Sequence, residues 1–211
     1  LHYPLRRQRQ MCIRDSINVE YRMGVDGISL FLILLTLVLT PIAILSSNGI
    51  KTRARSFFAA MLLLETMTIG MFAATDFVLF YIFFEAVLLP MYLIIGVWGG
   101  ERRIYAAVKF FVFTLAGSLF MLLAVVWIWR HLGTTNIAVM THAAIPAHAQ
   151  MWLFLAFLAA FGVKAAVWPL HTWLPDAYGE APVPGTIMLA AVLSKMGAYG
   201  FLRFALPMLP N

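Results

Sequence analysis

The stretch FLAAFGVKAAVWPLHTWLPDA, residues 157–177, decides the fold. It is almost wholly apolar, yet it carries Lys164 near its middle and Pro169 five residues later. In the core helix of a water-soluble protein both residues would be costly. The ammonium must be desolvated, and proline removes a backbone donor while its ring clashes with the turn before it. In a membrane helix the same two residues acquire a meaning: the helix breaks beside a charge, and the freed backbone groups need protein or water around them.

The surrounding chain supports a lipid solvent. Of 211 residues, 63% are hydrophobic and 11% charged, and mean hydropathy is +0.89, too little polar surface to coat a soluble domain of this length. Windows of about 20 apolar residues, the length a bilayer-crossing helix needs, give six spans: 26–47, 56–75, 77–98, 105–130, 151–174 and 183–206. Lipid cannot satisfy free backbone groups, so all six are expected to be helices, and the fold class is an all-α polytopic membrane protein. Lys51, Arg53, Arg55, Arg102 and Arg103 fall in the first and third connections. Alternation puts these on one side, which the positive-inside rule makes cytoplasmic. The connection at 175–185 then faces the cytoplasm too.

Residues 1–16 break that rule, because Arg6, Arg7, Arg9 and Arg14 would lie outside. They also lack a hydrophobic period and the apolar centre of a signal peptide. This segment is read as foreign to the membrane domain, an artefact of sequence assembly, and the domain itself as 17–211.

The net charge of +6 sits mostly in short connections, as topology signals do, and forms no basic face for nucleic acid. The single Cys12 excludes disulfides within the chain and cannot alone hold an iron–sulfur cluster or a structural zinc. His131, His142 and His148 share one polar stretch without a helical pair or a cysteine, and read as a solvated loop. No metal or cofactor is expected in this chain.

Ionisable groups inside spans are the chemical signal, since each costs roughly 2.5–3.5 kcal/mol or more at the bilayer centre. Three of the four lysines, Lys109, Lys164 and Lys195, lie within spans, whereas most arginines lie outside. A buried lysine can release and recover a proton, which arginine cannot. Glu85 supplies the opposite sign, with Tyr81 and Tyr92 four residues before and seven after it, on one helical face. At about 1.5 Å per residue, Glu85, Lys164 and Lys195 each lie roughly 15–20 Å from the cytoplasmic end of their spans. A common level suits proton transfer parallel to the membrane. For Glu85 and Lys164 the competing reading is a static ion pair that fixes helix packing, but buried pairs are weak stabilisers. Lys109 is shallow enough to snorkel, so anchor and relay both fit it. Glu65 fits either the proton path or a hydrogen bond to a neighbouring helix. His171 follows Lys164 by seven residues, two turns along one face if the helix resumes. Pro169 is expected to free the carbonyl of Ala165 and open a wet pocket beside Lys164.

The blocks FFEAVLLPMYLIIGVWGG, YAAVKFFVFTLAGSLFMLLA and FGVKAAVWPLHTWLPDAYGEAPVPGTIMLAAVLSKMGAYGFLRF resemble the chain M/subunit 4 family of NADH-quinone oxidoreductase, respiratory complex I, among its antiporter-like proton-translocating subunits. The resemblance covers about 17–211. It implies two inverted five-helix repeats, with 56–206 as the first and 151–174 as its broken helix. It implies that Glu85 and Lys164 form the family's charge pair, that Lys195 passes protons onward, and, less closely, that Lys109 and His171 belong to the same axis. The family's initial helices and second repeat are absent from the sequence, so a fragment is expected. The resemblance further implies that NADH, FMN, iron–sulfur clusters and quinone belong to other subunits. The implied partners are other membrane-arm subunits, including neighbouring antiporter-like ones, together with the lipid bilayer and no nucleic acid. The implied location is the bacterial inner membrane rather than the mitochondrial one. The alternative is a subunit of a multisubunit cation/proton antiporter carrying the same pair.

Overall fold

The computed structural model of the chain describes residues 21–143 and 145–209; the reading of residues 1–16 falls outside them. Among the described residues six helical spans are long and apolar enough to cross a membrane. The first is α1, Gly27–Leu45, started by a capping box in which Asp26 accepts from the N–H groups of Ile28 and Ser29 while the Ser29 hydroxyl accepts from that of Asp26. The second is α2, Ala54–Ala73. The third consists of α3, Phe77–Ala86, capped by Asp76, and α4, Leu88–Trp98. The fourth is α5, Arg103–Leu132, closed by Gly133 in the left-handed region at φ 70°. A short α6, Ile137–Met140, precedes α7, Ala147–Lys164. After an irregular stretch comes α8, Leu174–Glu180. The last span runs from α9, Val183–Met188, through a π-helical turn at Leu189–Leu193, α10 (Ser194–Gly200), a second π-helical turn at Phe201–Ala205 and α11 (Leu206–Met208).

Backbone hydrogen bonds tie the helices together at both ends, in the grouping that alternation of the spans predicts; the end that carries Lys51, Arg102 and Arg103 is termed cytoplasmic after the positive-inside expectation, and the opposite end outer. At the outer end the chain before α1 bridges to the α2–α3 corner, with Gly24 N–H donating to Ala73 O and Thr75 N–H to Arg22 O. The same corner reaches the segment after α5 through Phe77 N–H to Thr135 O and Ile137 N–H to Thr75 O. At the cytoplasmic end the Trp98 indole donates to Thr52 O, and Gly100 N–H donates to Glu180 O.

Between these layers an aromatic core fixes the helices laterally. Phe77 stacks on Phe204 with centroids 4.4 Å apart, Phe157 stacks on Phe161 at 5.7 Å, and Phe84 meets Phe161 edge-on at 6.1 Å. Such pairs contribute beyond the area they bury. Gly197 lets the backbone of α10 lie directly on the end of α7: a Cβ there would sit 2.6 Å from Phe161 O and 2.8 Å from the Ala165 Cβ.

The structure corrects the extent of the fifth span. Helix α7 stops at Lys164, ten residues short of the expected 174. Ala166 adopts φ 56°, Val167 N–H donates to Gly162 O at 2.8 Å, and Ala166 N–H donates to Val163 O at 3.2 Å. This is a Schellman stop with alanine where glycine is usual. Pro169 lies exposed beyond it, so the break begins upstream of the proline and not at it.

Candidate functional site

Each of the three mid-span charges stands at an irregularity in its helix. Glu85 is the penultimate residue of α3, one turn before Pro90, which cannot donate to Ala86 O; the helix is interrupted at Val87. Lys164 is the last residue of α7, where the helix carbonyls present negative partial charge. Lys195 is the second residue after the π-helical turn, and its Nζ donates to Ala190 O at 2.7 Å. Sequence inspection signalled only one of these three irregularities, through Pro169.

The structure brings Glu85 and Lys164 together. They attract one another electrostatically, and Lys164 Nζ lies 4.8 Å from the ring centroid of Phe84, the neighbour of Glu85. Lys164 is 2% exposed. Even so, its Nζ and the Oε1 of Glu85 are both buried without a hydrogen-bond partner. Ser118 on α5 faces Glu85 and Tyr81, adding a hydroxyl that the sequence reading did not single out. Tyr92, beyond the interruption, packs edge-on against Phe111 instead.

The other candidates stand apart. Lys109 Nζ donates to Asp176 Oδ2 at 2.6 Å, with both side chains about a fifth exposed, and lies over the Tyr105 ring. It neither snorkels freely nor joins the central pair; it pins α5 to α8 beyond the break. Glu65 turns toward α1, where the Thr40 hydroxyl lies close enough to act on its carboxyl while donating to Thr36 O at 2.9 Å. Lys195 is exposed on the outside of α10. His171 does not share a helical face with Lys164, because the chain forms turns from Pro169 to Trp173. It lies half-buried in the break, with Nδ1 buried and unpartnered. In the same stretch the Trp173 indole donates to Val163 O at 2.9 Å, satisfying a carbonyl at the end of α7. The expected freed carbonyl of Ala165 is therefore replaced by an end whose carbonyls are largely met by Ala166, Val167 and Trp173.

Sequence reasoning missed the partners at the two ends. Asp176 and Glu180 both lie on α8. Glu180 accepts from Arg102 N–H at 2.8 Å and approaches the Arg102 guanidinium at 3.6 Å. At the outer end Arg203, in the second π-helical turn, pairs with Asp26. Burial alone would raise the Asp26 carboxyl, but hydrogen bonds from Ser29 and Ile28 and the charge of Arg203 outweigh it and hold it below the usual carboxylate range. The acidic residues of PDAYGE could have been weighed as counterions to Lys109, since a lysine within a span has reason to find one.

The family profile described as NADH:quinone oxidoreductase/Mrp antiporter, TM, matches residues 74–211. A second, NADH-ubiquinone oxidoreductase chain 4, amino terminus, matches residues 10–72. Among curated proteins the chain is 50% identical over 207 residues to NADH-quinone oxidoreductase subunit M of Rhodobacter capsulatus, covering 92% of this chain and 40% of that one. It is 46% identical over 196 residues to NADH-ubiquinone oxidoreductase chain 4 of Marchantia polymorpha, with the same coverage of each. Among solved structures it superposes with TM-score 0.81 and 35% identity on a chain of respiratory complex I from Thermus thermophilus, covering 92% of this chain and 41% of that one. A chain of an archaeal membrane-bound sulfane sulfur reductase matches with TM-score 0.76 and 30% identity, covering 89% of this chain and 30% of that one. The chain thus spans about 40% of the length of the curated relatives it matches.

Proposed function

The chain belongs to the NADH:quinone oxidoreductase/Mrp antiporter transmembrane family, and on that premise we propose that it is part of a proton-translocating membrane-arm subunit of NADH:quinone oxidoreductase. One observation carries the reading. Lys164 is buried at the end of α7 beside the half-buried Glu85 at the end of α3, yet the buried Glu85 Oε1 and Lys164 Nζ make no hydrogen bond to protein. A pair built for packing alone would have its polar atoms satisfied, because an unpartnered buried polar atom costs about 1–3 kcal/mol.

In the proposed cycle, approach of the Glu85 carboxylate stabilises the Lys164 ammonium. Withdrawal of the carboxylate lets that ammonium give its proton to water in the break, and the neutral amine regains a proton when Glu85 returns. His171, with an unpartnered nitrogen in the same break, is the nearest relay by placement in the chain. Lys195, on the exposed face of α10, carries charge onward to the remainder of the subunit. Lys109 and Asp176 hold the cytoplasmic side of the break, and Glu65 with Thr40 forms a polar contact between α2 and α1.

Redox chemistry belongs to other subunits in this reading: NADH, FMN, iron–sulfur clusters and quinone are bound elsewhere, and this chain supplies proton transfer alone. Its partners are the other membrane-arm subunits, neighbouring antiporter-like chains among them, and the membrane is the bacterial inner membrane. A second reading, a subunit of a multisubunit cation/proton antiporter, is supported by the breadth of the matched family, whose description includes Mrp antiporters.

Complementation separates the two. The complete subunit is expressed in a strain lacking its own chain M. Restored NADH-driven proton pumping in membrane vesicles supports the first reading. Restored sodium tolerance in an antiporter-deficient strain, without NADH-driven pumping, supports the second.

A further inference from the structure

At the outer end of the bundle, away from every charge in the proposed proton path, a cleft of about 290 Å³ opens between α5 and α7, lined by Trp127, His148, Ala149, Trp152 and Leu153. His131 stacks on the lining Trp127 with ring centroids 5.1 Å apart. Arg130 is exposed, and at three residues from Trp127 it lies on the same sector of α5. Toward the membrane centre the two helices continue with exposed apolar side chains: Leu123, 67% exposed, lies one turn below Trp127, and Leu155 lies three residues along from Trp152.

Tryptophan at a span end is ordinary, because its ring suits the headgroup level. Here two tryptophans from different helices instead wall a cavity that His148 also lines, His131 stacks on one of them, and the exposed Arg130 follows that tryptophan by three residues, while apolar side chains continue along both helices away from it. The sequence stretch that carries these histidines reads as a solvated loop, but the structure puts His131 in the last turn of α5 and His148 in the first turn of α7, both exposed.

We propose that this cleft binds the phosphate headgroup of an anionic phospholipid of the outer leaflet, with the acyl chains lying along the α5–α7 groove. Guanidinium and imidazole N–H groups match phosphate oxygens, and arginine binds them with two parallel donors. The indole rings wall the glycerol region, and the leucines continue the apolar surface beneath it. The proposal rests on the membrane orientation and not on the proton-path reading, so either can fail alone.

The test uses the assembled complex containing the complete subunit, in phosphatidylcholine nanodiscs doped with a phosphatidylglycerol whose acyl chain carries a diazirine. After illumination, labelled peptides are mapped by mass spectrometry. Label is expected on residues 119–127 and 151–155, and unlabelled phosphatidylglycerol should displace it better than unlabelled phosphatidylcholine. Arg130→Gln should lower the label there by roughly fivefold, the scale of one basic side chain at an anionic surface, while any label near the exposed Phe31 of α1 stays unchanged. Equal displacement by the two lipids in the unaltered complex, a requirement for no variant at all, would overturn the proposal. So would undiminished label in an assembled Arg130→Gln complex, or absence of label because a neighbouring protein covers the cleft.

Discussion

At the cytoplasmic end Lys109 and Asp176 meet at 2.6 Å, and at the outer end Arg203 meets Asp26; each of these side chains keeps roughly a fifth to a third of its surface exposed. At mid-membrane Lys164 is almost fully buried, Glu85 stands beside it, and neither Lys164 Nζ nor Glu85 Oε1 has a hydrogen-bond partner. Opposite charges thus meet directly where water already helps them, even though Arg203 Nε is left without a protein partner, and make no ion pair at mid-membrane, where Lys164 is driest. If the pairs served stability, the distribution would be reversed, because desolvated charges need complete hydrogen bonding most. The bonded ends hold the helices, and the unbonded centre is left able to change state.

The comparison breaks first at Lys164. In the complete subunit, Lys164→Ala should lower proton flux per assembled complex by at least about a hundredfold, the scale of one ionisable group removed at the bilayer centre. Lys164→Arg keeps the charge but cannot release a proton, so it should retain assembly and remain strongly impaired. An arginine variant with normal flux in proteoliposomes would assign Lys164 to the structural class of the ends.

A smaller loss is expected at Gly197, where α10 lies against the broken end of α7. Gly197→Ala places a methyl group 2.6 Å from Phe161 O and 2.8 Å from the Ala165 Cβ, so α10 must move away from the end of α7 that carries Lys164. Overpacking of this kind costs roughly 1–3 kcal/mol. Flux should fall several-fold while NADH oxidation by the peripheral arm is unchanged. An unaltered flux would show that α10 need not sit close to the break.

Asp176→Asn tests the bonded end. A partly exposed pair contributes about 1 kcal/mol or less, so assembly should persist, with a loss of flux no greater than about threefold and greatest in low salt, where the original pair is least screened. A loss as deep as that from Lys164→Ala would move Lys109 and Asp176 from anchor to path.

The smallest effect is expected at the break itself. Ala166→Gly relieves a left-handed alanine, a strain of roughly 1–2 kcal/mol, and should raise the thermal stability of the assembled complex with flux unchanged. Pro169→Ala should also leave flux nearly unchanged, because the helix has already ended at Lys164. A strong loss from Pro169→Ala would restore the proline to the role first suggested by its position in the sequence.

How much of this was legible depends on how local each signal is. Six spans and the grouping of the connections at two ends follow from runs of apolar residues and the alternation of the chain, and the structure repeats the spans within a few residues except at α7. There the stop was hidden, because alanine at a left-handed position carries no glycine to announce it, while the visible Pro169 pointed five residues too far along. Lys164 and Glu85 stood out because lipid tolerates so few charges. Their lack of a bond did not, since it depends on where α3 and α7 end relative to one another. The π-helical turn before Lys195 has no compositional mark. Asp176 was readable only as part of a loop until α8 folded it back onto Lys109.

The most direct test is the number of protons pumped per electron transferred by assembled complexes carrying Glu85→Gln, measured in proteoliposomes with assembly verified on native gels. Glutamine preserves the shape and removes the charge, so it leaves packing nearly intact and abolishes the attraction on Lys164. Coupled pumping should be nearly lost and partly recovered in Glu85→Asp. A Glu85→Gln complex that assembles and pumps at the unaltered ratio would show that the buried pair is a packing element, no different in kind from the ion pairs at the ends.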